Sequence, residues 1–455
     1  MRIPRTSGRA CPARSVHELR VRHRPRVQRR ACPCCPRARA GAPPTPSPPR
    51  PAYGARHDQP RPRRSRIGNS ARGSAGGAGA EGPGDPPSAR GPEITSEASR
   101  PIGDLRLSDF PTDLYNPRMS ESSHHFLIIG VGSIGERHLR NFLRVDSVRC
   151  SIAETNADTR RKIAGDYPVE ADYADYRDAD LASFDGVVIC IPAHVHVPVA
   201  TDIVRAGTHV LTEKPLSTTL EGIDELKRLR DEKGVVVSVA FPQRSNETLR
   251  ELKRYVDAGN LGRVRLVNWF SGQYWPDKRK DYPPQYAQSR FTGGGVIQDH
   301  MVHFVNVVEW LFGPTDAVCA AQWNLGLDDI ETEDTGFLTM RMAGGQFAHL
   351  GTCLCQADDE YRFKVVAEHG VVQMISLVEP MEIHDVRTGA TTRGDAPTTD
   401  RDDIFVEQAK HFIRCIEGRD QPRCTVEEAE QTLRTILAAH RSSDEQGQFV
   451  EIGQV

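Results

Sequence analysis

Two side chains suited to proton transfer stand four residues apart late in the chain. Asp299 and His303 follow a glycine run, Gly293–Gly295, and precede an apolar stretch that ends near Phe312. Residues four apart share one face of a helix. A neutral histidine that titrates near pH 7 can accept the proton of a substrate hydroxyl. The spacing therefore predicts an acid/base site, with His303 as the base and Asp299 orienting the imidazole or binding a substrate hydroxyl.

The same helix face could hold a metal ion. Asp299, His300 and His303 are all ligand types for zinc, but no ligand from another element is evident in the sequence. We therefore predict no metal. His300 is placed among the substrate-binding candidates, although a histidine at such a position is more often solvated or packed.

A second constellation lies near the start of the foldable part of the chain. An apolar run, Phe126-Leu127-Ile128-Ile129, leads into Gly130-Val131-Gly132-Ser133-Ile134-Gly135, and residues 136–143 carry apolar side chains at helical spacing. A buried strand, a glycine turn and a helix in this order are typical of a dinucleotide-binding site. The predicted cofactor contacts are Gly130, Gly132, Ser133, Ile134 and Gly135, with the pyrophosphate at the helix N-terminus.

The next strand, 148–153, ends at Glu154, which is close to the usual position of an acidic ribose ligand. A carboxylate there accepts hydrogen bonds from both ribose hydroxyls and repels a 2′-phosphate. The sequence therefore favours NAD over NADP. Arg160 and Arg161 follow closely and leave room for a phosphate, so NADP is the less favoured alternative.

Strands and helices alternate as far as Phe241, which predicts a doubly wound α/β domain with a parallel sheet. Ligands bind at the carboxyl ends of such strands. Pro192, His196, Glu213 and Lys214 all follow predicted strands, and we expect them beside the cofactor.

The remaining residues, 242–455, predict an α+β domain with an open, mostly antiparallel sheet. A helix over 245–258 precedes long β-rich runs, and the chain ends in two amphipathic helices, 405–416 and 426–442. Between the first of these β-rich runs, 264–270, and the glycine run Gly293–Gly295 lies an aromatic and basic stretch that includes Tyr282 and Arg290. This stretch could cover a substrate or lie at a subunit contact.

These motifs together resemble the Gfo/Idh/MocA family of glucose-fructose oxidoreductases and inositol dehydrogenases, over residues 124–450. The resemblance rests on the glycine turn followed by His138, on Glu213-Lys214-Pro215, on Phe241 with Arg244, and on Asp299 with His303. It implies that Lys214 contacts both the nicotinamide ribose and the substrate and stabilises an alkoxide. It also implies that Arg244 belongs to the substrate site. One sheet face is expected to join subunits into a homo-oligomer, either a dimer or a tetramer.

The sequence departs from the family pattern at two positions. Met301 replaces a glycine and Asn306 replaces an aspartate of the usual Asp-x-Gly-x-His-x-x-Asp motif. A bulky Met301 could reshape the pocket, which leaves the identity of the sugar or polyol substrate open.

The first 118 residues have a different composition from the rest. They hold 23 Arg, no Lys and 20 of the 32 Pro, whereas residues 119–455 hold 36 basic and 52 acidic residues. We expect residues 1–118 to be a disordered extension, possibly from a start site placed upstream of Met119, with a basic tail that binds nucleic acid as the alternative. Without a long apolar run or paired cysteines, the folded part is expected to be cytoplasmic, with no membrane or nucleic-acid partner.

Three functions remain open at this point. The first is an NAD(P)-dependent dehydrogenase acting on a hydroxyl or carbonyl group of a sugar, a cyclitol or a sugar derivative. The second is a glycoside hydrolase or lyase in which the same hydride step is transient. The third is a non-catalytic NAD-binding regulator, against which Lys214, Asp299 and His303 together argue.

Overall fold

The computed structural model describes residues 123–279, 282, 285–394 and 400–455. The expectations for residues 1–118 and for a start at Met119 lie outside these ranges. Within them, no helix is both long enough and apolar enough to cross a bilayer.

A six-stranded parallel sheet forms the first half, in the order β3-β2-β1-β4-β5-β6. Its central strands are continuous apolar runs because helices cover both faces of the sheet, and Phe126, Leu127 and Ile128 of β1 are fully buried. The predicted doubly wound fold is thereby confirmed. The strands are β1 His124–Ile129, β2 Val148–Ala153, β3 Val169–Tyr173, β4 Gly186–Ile189, β5 His209–Glu213 and β6 Val237–Ala240.

Helices connect these strands and continue into the second half. Side-chain caps fix two of the helix starts. Asn156 accepts hydrogen bonds from the backbone amides of Asp158 and Thr159, and Thr425 forms a capping box with Glu428. The helices are α1 Ser133–Phe142, α2 Ala157–Asp166, α3 His196–Arg205, α4 Ile223–Lys233, α5 Glu247–Asp257, α6 Trp275–Lys278, α7 Val302–Phe312, α8 Asp403–Ile416 and α9 Val426–Asp444.

The second half is built on a nine-stranded sheet, in the order β14-β13-β12-β11-β7-β10-β9-β8-β15. Only β7 and β10 pair in parallel among these neighbours, so the predicted, mostly antiparallel sheet is confirmed. Trp269 of β7 stacks on Phe304 of α7 at 4.4 Å between ring centres, which fixes α7 on one sheet face. The strands are β7 Val264–Tyr274, β8 Thr315–Trp323, β9 Thr335–Met342, β10 Phe347–Cys353, β11 Cys355–Ala367, β12 Gly370–Met374, β13 Glu382–Asp385, β14 Thr391–Arg393 and β15 Val450–Glu451.

Helix α8 returns to the parallel sheet although it comes from the C-terminal part of the chain. Phe412 and Ile413 are buried in the same cluster as Phe126 and Phe142. Asp402, just before α8, binds Arg140 of α1 at 2.7 Å. Asp402 and the start of α8 are consequently held against α1.

Candidate active site

The glycine turn between β1 and α1 is shaped by close backbone contacts. Gly130 has a φ of +79°, and a β-carbon there would lie 2.6 Å from the carbonyl oxygen of Cys190. A β-carbon on Gly135 would lie 1.8 Å from the carbonyl oxygen of Gly130, so the helix can pack only without a side chain there. Gly132 has no atom within 4 Å of this position. Its backbone is therefore open to a ligand at the N-terminus of α1.

A cleft of about 490 Å³ opens beside this turn and is lined by Gly130, Gly132, Glu154 and Pro192 among others. The Glu154 carboxylate accepts hydrogen bonds from the backbone amides of Val131 at 3.0 Å and Asn156 at 2.8 Å. Open backbone at a helix start with a carboxylate beside it fits the pyrophosphate and ribose of a dinucleotide. Ser133 and Ile134 form the first turn of α1 at the same place, where amides lack intrahelical acceptors.

The two arginines after Glu154 are engaged elsewhere. Arg160 donates to the Glu154 carbonyl oxygen at 2.6 Å and to Asp172 at 3.1 Å, and Arg161 pairs with Asp158. The cleft wall includes instead Asp175, Tyr176 and Arg177, which follow β3. These three were missed because β3 was not predicted from the sequence. Arg177 pairs with Asp175, which balances its charge.

His196 is held by two backbone carbonyl groups, and its predicted cofactor contact stays a prediction. Its ring is buried, with Nδ1 at 2.8 Å from the Pro215 carbonyl oxygen and Nε2 at 2.7 Å from the Ile191 carbonyl oxygen. Burial lowers the pKa of His196, against the effect of the two carbonyl contacts. Because both ring nitrogens contact backbone carbonyl groups, His196 connects the loops that follow β4 and β5. Of the two predicted contacts Pro192 and His196, only Pro192 lines the cleft.

Glu213 contacts His138 and the backbone of Lys214. Its carboxylate is buried, with Oε1 at 2.8 Å from Nε2 of His138, and Oε2 accepts a hydrogen bond from the Lys214 backbone amide at 3.0 Å. Both carboxylate oxygens are thus engaged by protein. Glu213 thereby positions the backbone of Lys214, and the cofactor contact predicted for its side chain stays a prediction.

Lys214 and Asp299 meet although 84 residues separate them in the sequence. The Lys214 ammonium donates to Asp299 Oδ1 at 2.7 Å and to the Asp299 carbonyl oxygen at 2.8 Å. Burial alone would raise the pKa of the Asp299 carboxyl group, but the nearby charges of Lys214 and Arg279 outweigh it, and the pKa is lowered. Asp299 is therefore ionised at neutral pH and holds the ammonium at the end of β5.

The helix that carries Asp299 and His303 begins differently from the prediction. Val296–Met301 is a π-helix, and His303 lies in the first turn of α7. A π-helical turn holds more residues than an α-helical turn, and such segments are frequent at functional sites. Asp299 and His300 thus enter the site from the wider turn that precedes α7.

His303 is half-buried and packs against Phe241, with 6.0 Å between ring centres in an edge-on arrangement. Among the described residues, its Nδ1 has no hydrogen-bond partner. Burial, and then the charge of Lys214, hold the pKa of His303 well below its usual 6.5. His303 is therefore neutral at neutral pH, with a pKa below the range near 7 expected from the sequence, and its role as the base stays a prediction.

His300 lies on the π-helical turn that precedes α7. Its Nδ1 lies 3.0 Å from the hydroxyl of Thr352, and burial lowers its pKa to about 4. Met301 is fully buried in the core, so this residue does not reach the pocket as the sequence suggested. Among the described residues, no three His, Cys, Asp or Glu side chains are arranged to hold a metal ion.

Arg244 is engaged by a network between α7 and α9. Its side chain is buried and donates to Asn306 Oδ1 and to Glu428 Oε1, each at 2.7 Å. Asn306, the residue that departs from the family motif, is thereby part of a structural network between α7 and α9. A substrate contact through Arg244 stays a prediction, and its observed contacts are structural.

Two further candidates from the aromatic and basic stretch contact other protein groups. Arg290 pairs with the buried Glu333 at 3.1 Å. Tyr282 packs edge-on against Trp275, with 6.3 Å between ring centres. Neither side chain contacts Lys214 or His303 in the structure, and a direct contact with substrate through them stays a prediction.

Comparison with protein families identifies both halves of the chain. Residues 124–241 match the oxidoreductase family with an NAD-binding Rossmann fold, and residues 249–373 match the GFO/IDH/MocA C-terminal domain. The chain belongs to this family. The resemblance inferred from the motifs is confirmed.

Similar curated proteins include oxidoreductases of several kinds. An uncharacterized oxidoreductase, YrbE, of Bacillus subtilis is 27% identical over 49% of this chain and 64% of its own length. Myo-inositol 2-dehydrogenase of Thermotoga maritima is 22% identical over 70% of this chain and 96% of its own length. The chain thus spans slightly under two thirds of the first of these relatives and nearly all of the second.

Among solved structures, levoglucosan dehydrogenase in complex with NADH and levoglucosan superposes with a TM-score of 0.64. It is 18% identical, and the match covers 72% of this chain and 99% of that one. At this identity the likeness supports the fold and leaves the substrate undetermined.

Proposed function

We propose that this protein is an NAD-dependent dehydrogenase that transfers a hydride between the nicotinamide and a CH–OH or carbonyl carbon of a sugar, a cyclitol or a sugar derivative. One observation carries the proposal. The Lys214 ammonium is held at 2.7 Å by the Asp299 carboxylate, four residues before the half-buried, neutral His303. A cation and a neutral base at the carboxyl edge of a dinucleotide-binding sheet are the two groups that alcohol oxidation requires.

The chain's own residues divide the work of binding and proton transfer. The backbone at Gly132 and Ser133 would hold the pyrophosphate, and Glu154 the adenosine ribose. When bound, the nicotinamide supplies the hydride chemistry. Lys214 binds the substrate oxygen and stabilises its negative charge as the hydroxyl proton moves to His303.

Asp299 fixes the position of the Lys214 ammonium. Glu213 and His196 fix the backbone on either side of Lys214, since they bond its amide and the carbonyl of Pro215. This support limits the movement of the ammonium, which preorganises the site for the developing charge.

The preference for NAD over NADP rests on Glu154. Its carboxylate lies beside the glycine turn, where a 2′-phosphate would meet a like charge. We expect Glu154→Ala to weaken NADH binding and to narrow its advantage over NADPH in fluorescence titrations. A wild-type enzyme that already binds NADPH more tightly would contradict this assignment.

The proposed reaction is tested by the net formation of NADH with a panel of polyols and sugars, read from NADH absorbance. A dehydrogenase accumulates one NADH for each product molecule formed. A glycoside hydrolase or lyase with a transient hydride step gives product without net NADH, and that result would contradict the proposal. A regulator would bind NADH and form no product.

We also propose that the outer face of the nine-stranded sheet packs against a second copy of the chain. Phe337, Phe347 and Ile375 are exposed on the nine-stranded sheet and at the end of β12, and Phe337 and Ile375 border a groove of about 380 Å³. An exposed apolar sheet face of this kind is typical of a subunit interface. Light scattering after gel filtration should give a dimer or tetramer, and Phe337→Asp should lower the mass.

A further inference from the structure

Two cysteines lie side by side where the chain crosses the end of β7. Cys353 is the last residue of β10 and Cys355 is the first residue of β11, and their Sγ atoms are 3.4 Å apart. Both are free thiols and both are half-buried. The backbone of Leu354, between them, accepts a hydrogen bond from the Trp275 amide and donates one to the Asp334 carbonyl oxygen, each at 2.9 Å. The two thiols are therefore held in contact by a fixed backbone.

A disulfide between these two sulfur atoms requires only a small movement. The bond is about 2.05 Å long, so the sulfur atoms of Cys353 and Cys355 must approach each other by roughly 1.4 Å. Their half-exposed position leaves them open to a small reagent from solvent. Contact between the thiols and access for a reagent are the two conditions for thiol–disulfide exchange.

The surroundings of the pair favour uncharged sulfur. The Thr335 hydroxyl donates to the buried Asp334 carboxylate at 2.8 Å, and its oxygen lies 3.5 Å from Sγ of Cys353 and 3.8 Å from Sγ of Cys355. Burial, and then the hydrogen bond with Cys353, raise the pKa of the Cys355 thiol to about 11. A stabilised thiolate favours the reduced form of a dithiol, and this environment does not stabilise the Cys355 thiolate. The disulfide carries no charge and is not penalised by the neighbouring carboxylate.

We propose that Cys353 and Cys355 form a redox-active dithiol, which a low-molecular-weight disulfide such as oxidised glutathione converts reversibly into an intramolecular disulfide. The Cys353 thiolate attacks one sulfur atom of the small disulfide, so that a mixed disulfide forms and one small thiolate leaves. The Cys355 thiolate then attacks the Cys353 sulfur, which closes the protein disulfide and releases the second small thiolate. The two thiol protons pass to the two small thiolates, and the small disulfide takes up the two electrons that the protein gives up. The first attack is assigned to Cys353 because the Cys355 thiol loses its proton with difficulty.

The Cys353 side of the pair leads directly to the candidate active site. Thr352, the residue before Cys353, is fully buried, and its hydroxyl lies 3.0 Å from Nδ1 of His300. His300 follows Asp299 on the π-helical turn. A displacement of Cys353 is therefore transmitted through a single hydrogen bond to the turn that carries Asp299.

The Cys355 side leads to the same turn through β9. The Cys355 thiol faces the buried carboxylate of Asp334, with 3.9 Å between Sγ and Oδ1. Glu333, the residue before Asp334, accepts a hydrogen bond from the Val296 amide at 3.0 Å through its backbone carbonyl. Val296 is the first residue of the π-helical turn. Residues next to the dithiol network thus contact this turn at its beginning and near its end.

We expect the disulfide to shift the π-helical turn and to lower kcat. A misplacement of about 1 Å costs up to roughly a hundredfold in rate, so a loss of about 3- to 100-fold is expected. The dissociation constant of NADH should change less than about twofold, because the proposed cofactor contacts lie on the glycine turn and at Glu154. The effect on kcat rests on the proposed function, whereas formation of the disulfide does not.

The test follows the two thiols by mass. The reduced, full-length protein is incubated with oxidised glutathione, denatured, alkylated with iodoacetamide and digested with trypsin. Cleavage after Arg341 and Arg362 releases one peptide, which carries Cys353 and Cys355 and no other cysteine. An internal disulfide makes this peptide about 2 Da lighter than the dithiol and blocks both alkylations, whereas a glutathione adduct makes it roughly 305 Da heavier.

The same measurements are made on Cys353→Ser and Cys355→Ser. Cys319→Ser is the matched control, because Cys319 is a half-buried free cysteine whose Sγ contacts the Gly447 carbonyl oxygen at 3.0 Å. Thermal unfolding of each reduced variant checks that it folds. The comparison of oxidised with reduced wild type needs no substitution and decides the question even if a variant is unstable.

The wild type and Cys319→Ser should form the internal disulfide, and dithiothreitol should restore both the peptide mass and the rate. Cys355→Ser should instead retain a glutathione adduct on Cys353, as expected when the second attack is removed. Cys353→Ser should keep its full rate in oxidised glutathione. Complete alkylation of both cysteines in the wild type, or a stable glutathione adduct there, would overturn the inference.

Three further results separate the dithiol from the proposed function. If the disulfide forms reversibly but no substrate of the panel gives NADH, the dithiol stands and the dehydrogenase assignment fails. If oxidised and reduced protein turn over at equal rates, or if oxidation slows Cys353→Ser as much as the wild type, the proposed effect on the π-helical turn is wrong. If NADH affinity falls in parallel with the rate, the effect lies at the cofactor cleft, which contradicts transmission through Thr352 and Glu333.

Discussion

His303 provides the sharpest test of the proposed proton transfer. We predict that His303→Gln lowers kcat by roughly a hundred- to ten-thousand-fold, the usual cost of removing a general base. This loss corresponds to about 2.7 to 5.4 kcal/mol of added barrier, since each tenfold in rate is about 1.36 kcal/mol. A glutamine retains a polar side chain against Phe241 but cannot accept the proton at neutral pH.

The structure separates this effect from cofactor binding. The residues proposed to hold NADH lie on the glycine turn and at the end of β2, whereas His303 lies on α7. The dissociation constant of NADH should therefore change less than about threefold in His303→Gln. An exposed histidine on β13, His384, lies outside the groove that Phe337 borders and serves as the control, and His384→Gln should retain full activity.

Single-turnover kinetics with a substrate from the panel measure the hydride step directly, and fluorescence titration measures NADH binding. Retention of more than about a tenth of the wild-type rate at neutral pH would refute the assignment of His303 as the base. A parallel loss of NADH binding would instead give His303 a structural role.

Three other predictions address the turn, the network around Arg244 and the pH dependence. Gly135→Ala should abolish NADH binding or folding, because the new methyl group would meet the Gly130 carbonyl oxygen at 1.8 Å. Gly132→Ala should fold normally, and melting curves of both variants measure the difference. Arg244→Gln should lower the free energy of unfolding by about 3 kcal/mol and leave the KM unchanged, since it breaks a buried ion pair with a half-exposed partner. In the pH profile, the fall of kcat on the acidic side should have its midpoint below pH 6.5, because a base with a lowered pKa stays neutral as the pH falls through the ordinary histidine value. A midpoint at or above pH 6.5 would contradict the lowered pKa of His303.

The parts of the fold that the sequence predicted are those set by local pattern. The apolar run of β1, the glycine turn and α1 follow one another within twenty residues, and each has an unmistakable composition. Strand β3 was missed because it is an edge strand in which half-buried and exposed residues alternate. Strands β13 and β14 have four and three residues, and β14 is fully exposed, so they carry little apolar signal.

Individual roles within the site depended on long-range contacts that no local pattern contains. Lys214 and Asp299 were both identified by type and motif, but only the fold shows that they bind each other. The network of Arg244 was not foreseen, because its partners Asn306 and Glu428 are 62 and 184 residues away. The π-helical turn before α7 likewise depends on tertiary packing, because the residues of Val296–Met301 also suit an α-helix.

The transfer of a labelled hydride tests the central claim most directly. A substrate from the panel, deuterated at the carbon that bears the reacting hydroxyl, is incubated with the protein and NAD, and the NADH is examined by mass spectrometry. The account predicts that deuterium appears in NADH in amounts equal to the oxidised product, and that His303→Gln slows its appearance without weakening NADH binding. Complete conversion of the substrate with no deuterium in the free cofactor would contradict it.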